Sequence, residues 1–164
     1  MNEEVQAQNN ALAVAENSQM LTADIFAGSS DGTTTRKATS IDINDEESVD
    51  MLLNSLQDVD HKLNDMVDQE IKCVGFYAVE RPVTSFNEES GEAITRFKHV
   101  LMLFDEKGES YVTGSNACYS SFNDIVSIKG LPTKENPIVL KPIKVDAKEK
   151  GHSYLKLKVV INKK

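Results

Sequence analysis

The stretch Glu109–Gly130, ESYVTGSNACYSSFNDIVSIKG, decides how the rest of the chain is read. Ser110 to Gly114 has the composition of a short strand. Ser115 or Asn116 then offers a side-chain oxygen to cap a helix. Behind that cap, Ala117, Phe122, Ile125 and Val126 recur at helical spacing. Gly130 tolerates the positive φ that ends a helix, and Pro132 follows it. One helix of about three turns is therefore expected between strands. Strands alone are expected immediately before it and after it.

Upstream, Gln69 to Arg81 reads as a long strand. Ile71, Cys73, Gly75, Tyr77 and Val79 fall on one side of it, with Lys72, Val74, Phe76 and Ala78 on the other. Gly75 marks a bulge or sharp bend. Residues 88–92 form a connecting loop. Ile94 to Phe104 is a second strand, apolar on both faces from Val100 to Phe104 and so well covered. Asp105-Glu106-Lys107-Gly108 is a hairpin turn leading to the strand Ser110–Gly114. Downstream of the helix, Ile138 to Val145 is a fourth strand. The turn Ala147-Lys148-Glu149-Lys150-Gly151 leads to a fifth, Ser153 to Ile161. Its period of two sends Leu155, Leu157, Val159 and Ile161 inward and Tyr154, Lys156 and Lys158 outward.

The order is strand, strand, strand, helix, strand, strand. This is the order of a five-stranded OB-fold barrel, so the fold class expected is mainly β with α. In that fold the long loop between the first two strands and the turn between the last two flank a face that binds oligonucleotides.

Before the barrel, residues 45–66 read as a leading helix, capped by Asn44 or Asp45 and broken near Asp58-Val59-Asp60. Val49, Leu52, Leu53, Leu56 and Val59 form its packing stripe, extended by Leu63 and Met66. Residues 1–43 are rich in Asn, Gln, Ser and Thr and read as a flexible arm, with small apolar patches at Ala11–Ala15 and at Leu21, Ile25 and Phe26. The domain proper spans 44–164.

At 164 residues the chain is sized for one domain and a tail. Its net charge of -8 hides an asymmetry. Residues 1–70 hold 15 Asp+Glu against 3 Lys+Arg, whereas from Lys129 onward there are 10 Lys against 3 acids. A basic half of this kind suits a polyanion partner. No apolar run is long enough to span a membrane. The acidic N-terminus lacks the pattern of a signal peptide, and a cytoplasmic protein of a bacterial host cell is expected. Cys73 and Cys118 form no CxxC motif and read as buried thiols in a reducing compartment. No enzyme constellation is present. His61, His99 and His152 are scattered, and there is no HExxH, phosphate-cradling glycine loop or nucleophile elbow. No enzyme activity, metal or cofactor is expected.

Sequence-tolerant binding of a single strand needs cations for phosphates and ring faces for bases. The candidate cations are Lys72, Arg81, Arg96, Lys98, Lys144, Lys148, Lys150, Lys156 and Lys158. The candidate stacking rings are Phe76, Phe86, Phe97, Tyr111, Tyr119 and Tyr154. Phe76, Phe97 and Tyr119 also have a core reading, in which they simply pack.

Three segments carry a resemblance. KLNDMVDQEIKCVGFY (62–77) leads into the first strand. FDEKGESYVTGSNACYSSFNDIVSIKGLPT (104–133) holds the hairpin, third strand and helix. NPIVLKPIKVDAKEKGHSYLKLKVV (136–160) is a basic hairpin. Together they resemble the OB-fold single-stranded DNA-binding proteins of phages and conjugative elements of Gram-positive bacteria. The resemblance implies coating and protection of exposed strands during replication or DNA transfer, with replication proteins as further partners. Housekeeping bacterial versions end in an acidic recruiting tail, whereas this chain ends in Asn162-Lys163-Lys164 and is acidic at its front. Cooperative self-association along DNA through the N-terminal arm is the accompanying expectation. The competing expectation is a non-enzymatic adaptor of the replication machinery, or an acidic DNA mimic.

Overall fold

The helix expected behind Ser115 is present from Asn116 to Lys129 in the computed structural model, which describes residues 35–148 and 151–161. The Ser115 hydroxyl accepts a hydrogen bond from the Cys118 N–H (3.2 Å), and Gly130 ends the helix at φ 82°. Around it the chain runs β1 (Arg36–Thr39), α1 (Glu46–Gln57), β2 (His61–Lys62), a 3-10 turn (Leu63–Met66), β3 (Ile71–Phe86), β4 (Ala93–Asp105), β5 (Ser110–Thr113), α2 (Asn116–Lys129), β6 (Ile138–Asp146) and β7 (Ser153–Val159).

Among the described residues the fold is mainly β with two α-helices. One curled, mixed sheet runs β2-β5-β4-β3-β6-β7 and forms a half-barrel. Among the described residues only β2 and β5 pair in parallel. β4 takes one edge of β3 along almost its whole length. The other edge is shared by β6, at Ile71–Cys73, and β1, at Tyr77–Glu80. The described residues thus hold seven strands where five were expected. Arg36–Thr39 lies inside the stretch assigned to the arm, yet it is a sheet strand. Four residues gave too short a pattern to read, and pairing with β3 supplies their order. Residues 1–34 of the arm lie outside the described residues.

The ladder between β3 and β4 shifts register between Cys73 and Gly75, as the glycine suggested. A Cβ on Gly75 would stand 2.8 Å from Ile41 Cδ1, so a larger residue there would have to push aside the tip of the Ile41 side chain. The extra residue reverses the in–out parity of the strand. Ile71 and Cys73 point into the main core before it, and Phe76, Ala78 and Glu80 after it. Tyr77 and Val79 therefore lie on the outer face, opposite to the simple alternation expected.

The inner face carries the main core, in which Phe76 meets Phe122 of α2 with ring centroids 5.2 Å apart. α2 also completes the wall between β5 and β7, which are not joined by a ladder among the described residues. Ser115 Oγ donates to the Leu155 carbonyl (3.2 Å), and the Leu157 N–H donates to Ser121 Oγ (2.9 Å). Helix hydroxyls thus satisfy the edge of β7, where bare backbone groups would invite pairing with another chain.

A second, smaller core lies on the outer face. There Leu52 of α1 covers Met102 and Phe104, with Ile41, Met51 and Val59 at its margin. The leading helix is shorter than the expected 45–66. It stops at Asp58, where the backbone turns extended. Asp60 then accepts hydrogen bonds from the Ser110 N–H (2.9 Å) and hydroxyl (3.0 Å), fixing β2 beside β5. Of the expected stripe, Leu53 and Leu56 face solvent.

Candidate nucleic-acid interface

Residues directly opposite one another in an antiparallel pair share a sheet face. The β6–β7 register puts Lys141 opposite Lys158, Ile143 opposite Lys156 and Val145 opposite Tyr154. These six side chains alternate with Leu140, Leu155 and Leu157, which are buried in the main core, so they lie on the outer face. Tyr154 is 38% exposed, and Lys156 Nζ lies 5.8 Å from its ring centroid. Among the described residues none of Lys141, Lys156 and Lys158 has a carboxylate within ion-pair distance. Two lysines opposed across a ladder repel, and nothing on these strands' outer face offsets that. The site therefore combines three cations with one accessible ring.

A second cationic region lies on the same sheet face. Beyond the end of β1, β3 and β4 continue as a two-stranded ribbon, 81–86 against 93–98. Arg81 stands opposite Lys98, Val83 opposite Arg96, and Ser85 opposite Ile94, all on the outer face by parity. Pro82, Phe97, Thr84, Thr95 and Phe86 occupy the reverse face. Thr84 Oγ1 and Thr95 Oγ1 lie 3.3 Å apart there. Phe86 is 71% exposed near the tip, and Phe97 is half-buried. The ribbon thus keeps its cations and its aromatic rings on opposite faces.

Three expected stacking residues cannot present a ring to a base. Phe76 is sealed in the main core because the bulge turns it inward. Tyr111 is buried against His61, ring centroids 4.9 Å apart, and its hydroxyl donates to Asp105 Oδ2 (2.8 Å). Burial, reinforced by the Asp105 carboxylate, pushes its pKa upward, so the phenol stays protonated. Tyr119 lies under His99 in a nearly parallel stack at 3.8 Å. Among the expected cations, Lys72 pairs with Glu106 at 3.0 Å. Lys144 lies on the opposite side of β6 from Lys141, lining a cleft with Asn64 and Asp65. Lys148 is exposed at the hairpin turn, and Lys150 lies outside the described residues.

The sequence reading missed Lys141. Its outward position follows from the period of two through Val139, Ile143 and Val145, but its opposition to Lys158 depends on a register that no local pattern shows. It also missed a polar cluster on the inner face where the ribbon leaves the half-barrel. Arg36 Nε donates to Glu80 Oε1 (2.8 Å). His99 Nε2 lies 2.9 Å from Glu80 Oε2, and His99 Nδ1 lies 3.1 Å from Asn116 Oδ1. Burial alone would raise the Glu80 carboxyl, but hydrogen bonds from His99 and Arg36, with their charges, outweigh it and hold the group below its ordinary value. The cluster joins β1, β3, β4 and the start of α2.

Both cysteines are free and buried, and burial raises both thiols, Cys73 to about 12. Among the described residues no group of three or more His, Cys, Asp or Glu is placed to hold a metal ion, and no helix is long and apolar enough to cross a membrane. In comparisons with known protein families, curated proteins and solved structures, the chain matches none.

Proposed function

We propose that this protein binds single-stranded nucleic acid without sequence preference, single-stranded DNA in the first instance, and acts by coating exposed strands in replication or transfer of a mobile element. The observation that carries this reading is the Lys141–Lys158 opposition on a solvent-facing strand pair that also bears Lys156 and the Tyr154 ring. A phosphate backbone would neutralise such a pair, and an unstacked base would cover the ring. The pairing of β3 with β4 and β6, of β4 with β5, and of β6 with β7 supports reading the half-barrel as an OB-type barrel whose closing seam is made by α2. In that reading the β6–β7 face flanks the groove. RNA is a second ligand of the same chemistry.

The test is titration of a fluorescent oligo-dT at two salt concentrations, with the wild-type protein and the double variant Lys141→Glu/Lys158→Glu. Tight, salt-sensitive binding that the double variant loses is the expected result. Absence of binding at low salt, in a protein that is folded by circular dichroism, would overturn the proposal and favour an adaptor or acidic mimic. Replication proteins then become the partners to seek.

A further inference from the structure

The Arg81–Lys98 pair repeats the opposition of like charges seen at Lys141–Lys158, but its surroundings differ. The outer face of β3 and β4 around this pair also carries Arg96 and Ser85, together with the aliphatic side chains Val79, Val83, Ile94 and Val100, the last two exposed. No aromatic side chain lies on that face of the ribbon. A single strand brings phosphates to cations and bases to rings, and leaves exposed aliphatics with little to pack on. The chemistry that suits this face is a run of carboxylates interleaved with aliphatic side chains.

The same chain carries that complement. Residues 42–60 hold seven Asp and Glu and no Lys or Arg. α1 sinks Leu52 and Ser55 into the smaller core and leaves Leu53 and Leu56 exposed. Residues three and four apart on a helix are neighbours, so Leu53 adjoins Val49, Asp50 and Leu56, and Asp50 adjoins Glu46 and Glu47. One exposed strip of α1 thus mixes carboxylates and leucines, as the ribbon mixes cations with valine and isoleucine. Neither Arg81 nor Lys98 forms an ion pair with α1 within the described part of the chain.

We propose that the acidic strip of α1 in one copy docks on the outer face of the β3–β4 ribbon in the next. The two surfaces are different patches of one chain, so a heterologous contact between them repeats head to tail unless its rotation closes a ring. The inference rests on the proposed function only in giving it a purpose. A contact that leaves the β6–β7 lysines open lines up successive copies along one strand. Arg81, Arg96 and Lys98 then serve the protein–protein contact, and the nucleic-acid contacts concentrate on β6–β7.

Charge exchange in the full-length protein tests this, read by sedimentation velocity over a range of protein concentrations at low salt without nucleic acid. Wild-type protein is expected to sediment faster as concentration rises. Arg81→Glu/Lys98→Glu and Glu47→Lys/Asp50→Lys are each expected to stay monomeric, because one variant has two acidic patches and the other two basic ones. Mixed in equal amounts, the two variants should recover association. A monomeric wild type throughout, or a mixture that fails to associate while both variants are folded, would overturn the proposal. So would association that survives both exchanges but vanishes on deletion of residues 1–34, which would assign it to the arm. Short oligo-dT binding separates this proposal from the proposed function. The ribbon variant should keep its affinity for an oligonucleotide too short to hold two copies, and Lys141→Glu/Lys158→Glu should lose that affinity while still associating.

Discussion

Glu80 and His99 stand directly opposite one another on β3 and β4, on the inner face, with Oε2 and Nε2 2.9 Å apart. Arg36 shares the same carboxylate from β1. The side chains of all three are mostly shielded from solvent, so the carboxylate is the joint between three strands.

Replacing Glu80 by Gln keeps the shape and removes the charge. Hydrogen bonds to charged groups contribute about 1.5–3 kcal/mol each, and the partial exposure of Arg36 relieves some of the loss, so Glu80→Gln should cost on the order of 2 kcal/mol at neutral pH. The Glu80 pKa is lower folded than unfolded. Its contribution is therefore complete above the unfolded value of about 4.3 and is lost as pH falls through the folded value. Urea denaturation of wild type and Glu80→Gln should show a stability gap at pH 7 that narrows progressively below about pH 4.

Gly130 ends α2 at φ 82° and ψ 175°, a region that is essentially restricted to glycine. Gly130→Ala should cost about 1–3 kcal/mol. The comparison is Gly91→Ala, also at positive φ but in an exposed loop with open space around its Cβ position. Thermal melts of the two variants should show the larger loss at Gly130, where the loop that follows is held by Asn136 Nδ2 donating to the Lys129 (3.1 Å) and Leu131 (3.0 Å) carbonyls.

Ser121 serves two roles at once. Its hydroxyl donates to the Ala117 (2.9 Å) and Cys118 (3.0 Å) carbonyls and accepts the Leu157 N–H. Ser121→Ala leaves a β7 amide without its partner, at about 1–3 kcal/mol. Amide hydrogen exchange should accelerate selectively at Leu157, while the β3–β4 ladder keeps its protection. Uniform acceleration across the sheet would show instead that β7 and α2 open only with the whole domain.

Much of this was legible because it is local. The α2 cap and stop, the Gly75 bulge, the Gly108 turn and the alternation of β7 are each written within a few residues. What escaped depends on pairing between distant segments. β1 is a strand only because β3 offers it an edge. The bulge is legible, but its reversal of parity is not, so the sequence leaves Phe76 open to a stacking reading as well as a core one and puts Tyr77 on the side of Ile71 and Cys73. Asp105 and His99, which receive Tyr111 and Tyr119, come from β4, and no local pattern around either tyrosine shows them. Lys141 acquires meaning only from its opposition to Lys158.

The two parts of the proposed interface should separate in one experiment. A lysine that contacts phosphate contributes counterion release, so Lys141→Gln and Lys158→Gln should each lower the slope of log K against log salt by about 0.7 for a single strand. Tyr154 carries no charge, and stacking is worth about 1–3 kcal/mol per base. Tyr154→Ala should therefore weaken oligo-dT binding by roughly fivefold to 150-fold at every salt concentration, with the slope unchanged. Tyr154→Phe keeps the ring and should bind as wild type does. If Tyr154→Ala altered only the slope, or if neither lysine variant altered it, the strand would not lie across the β6–β7 face, and the ribbon cations would become the place to look.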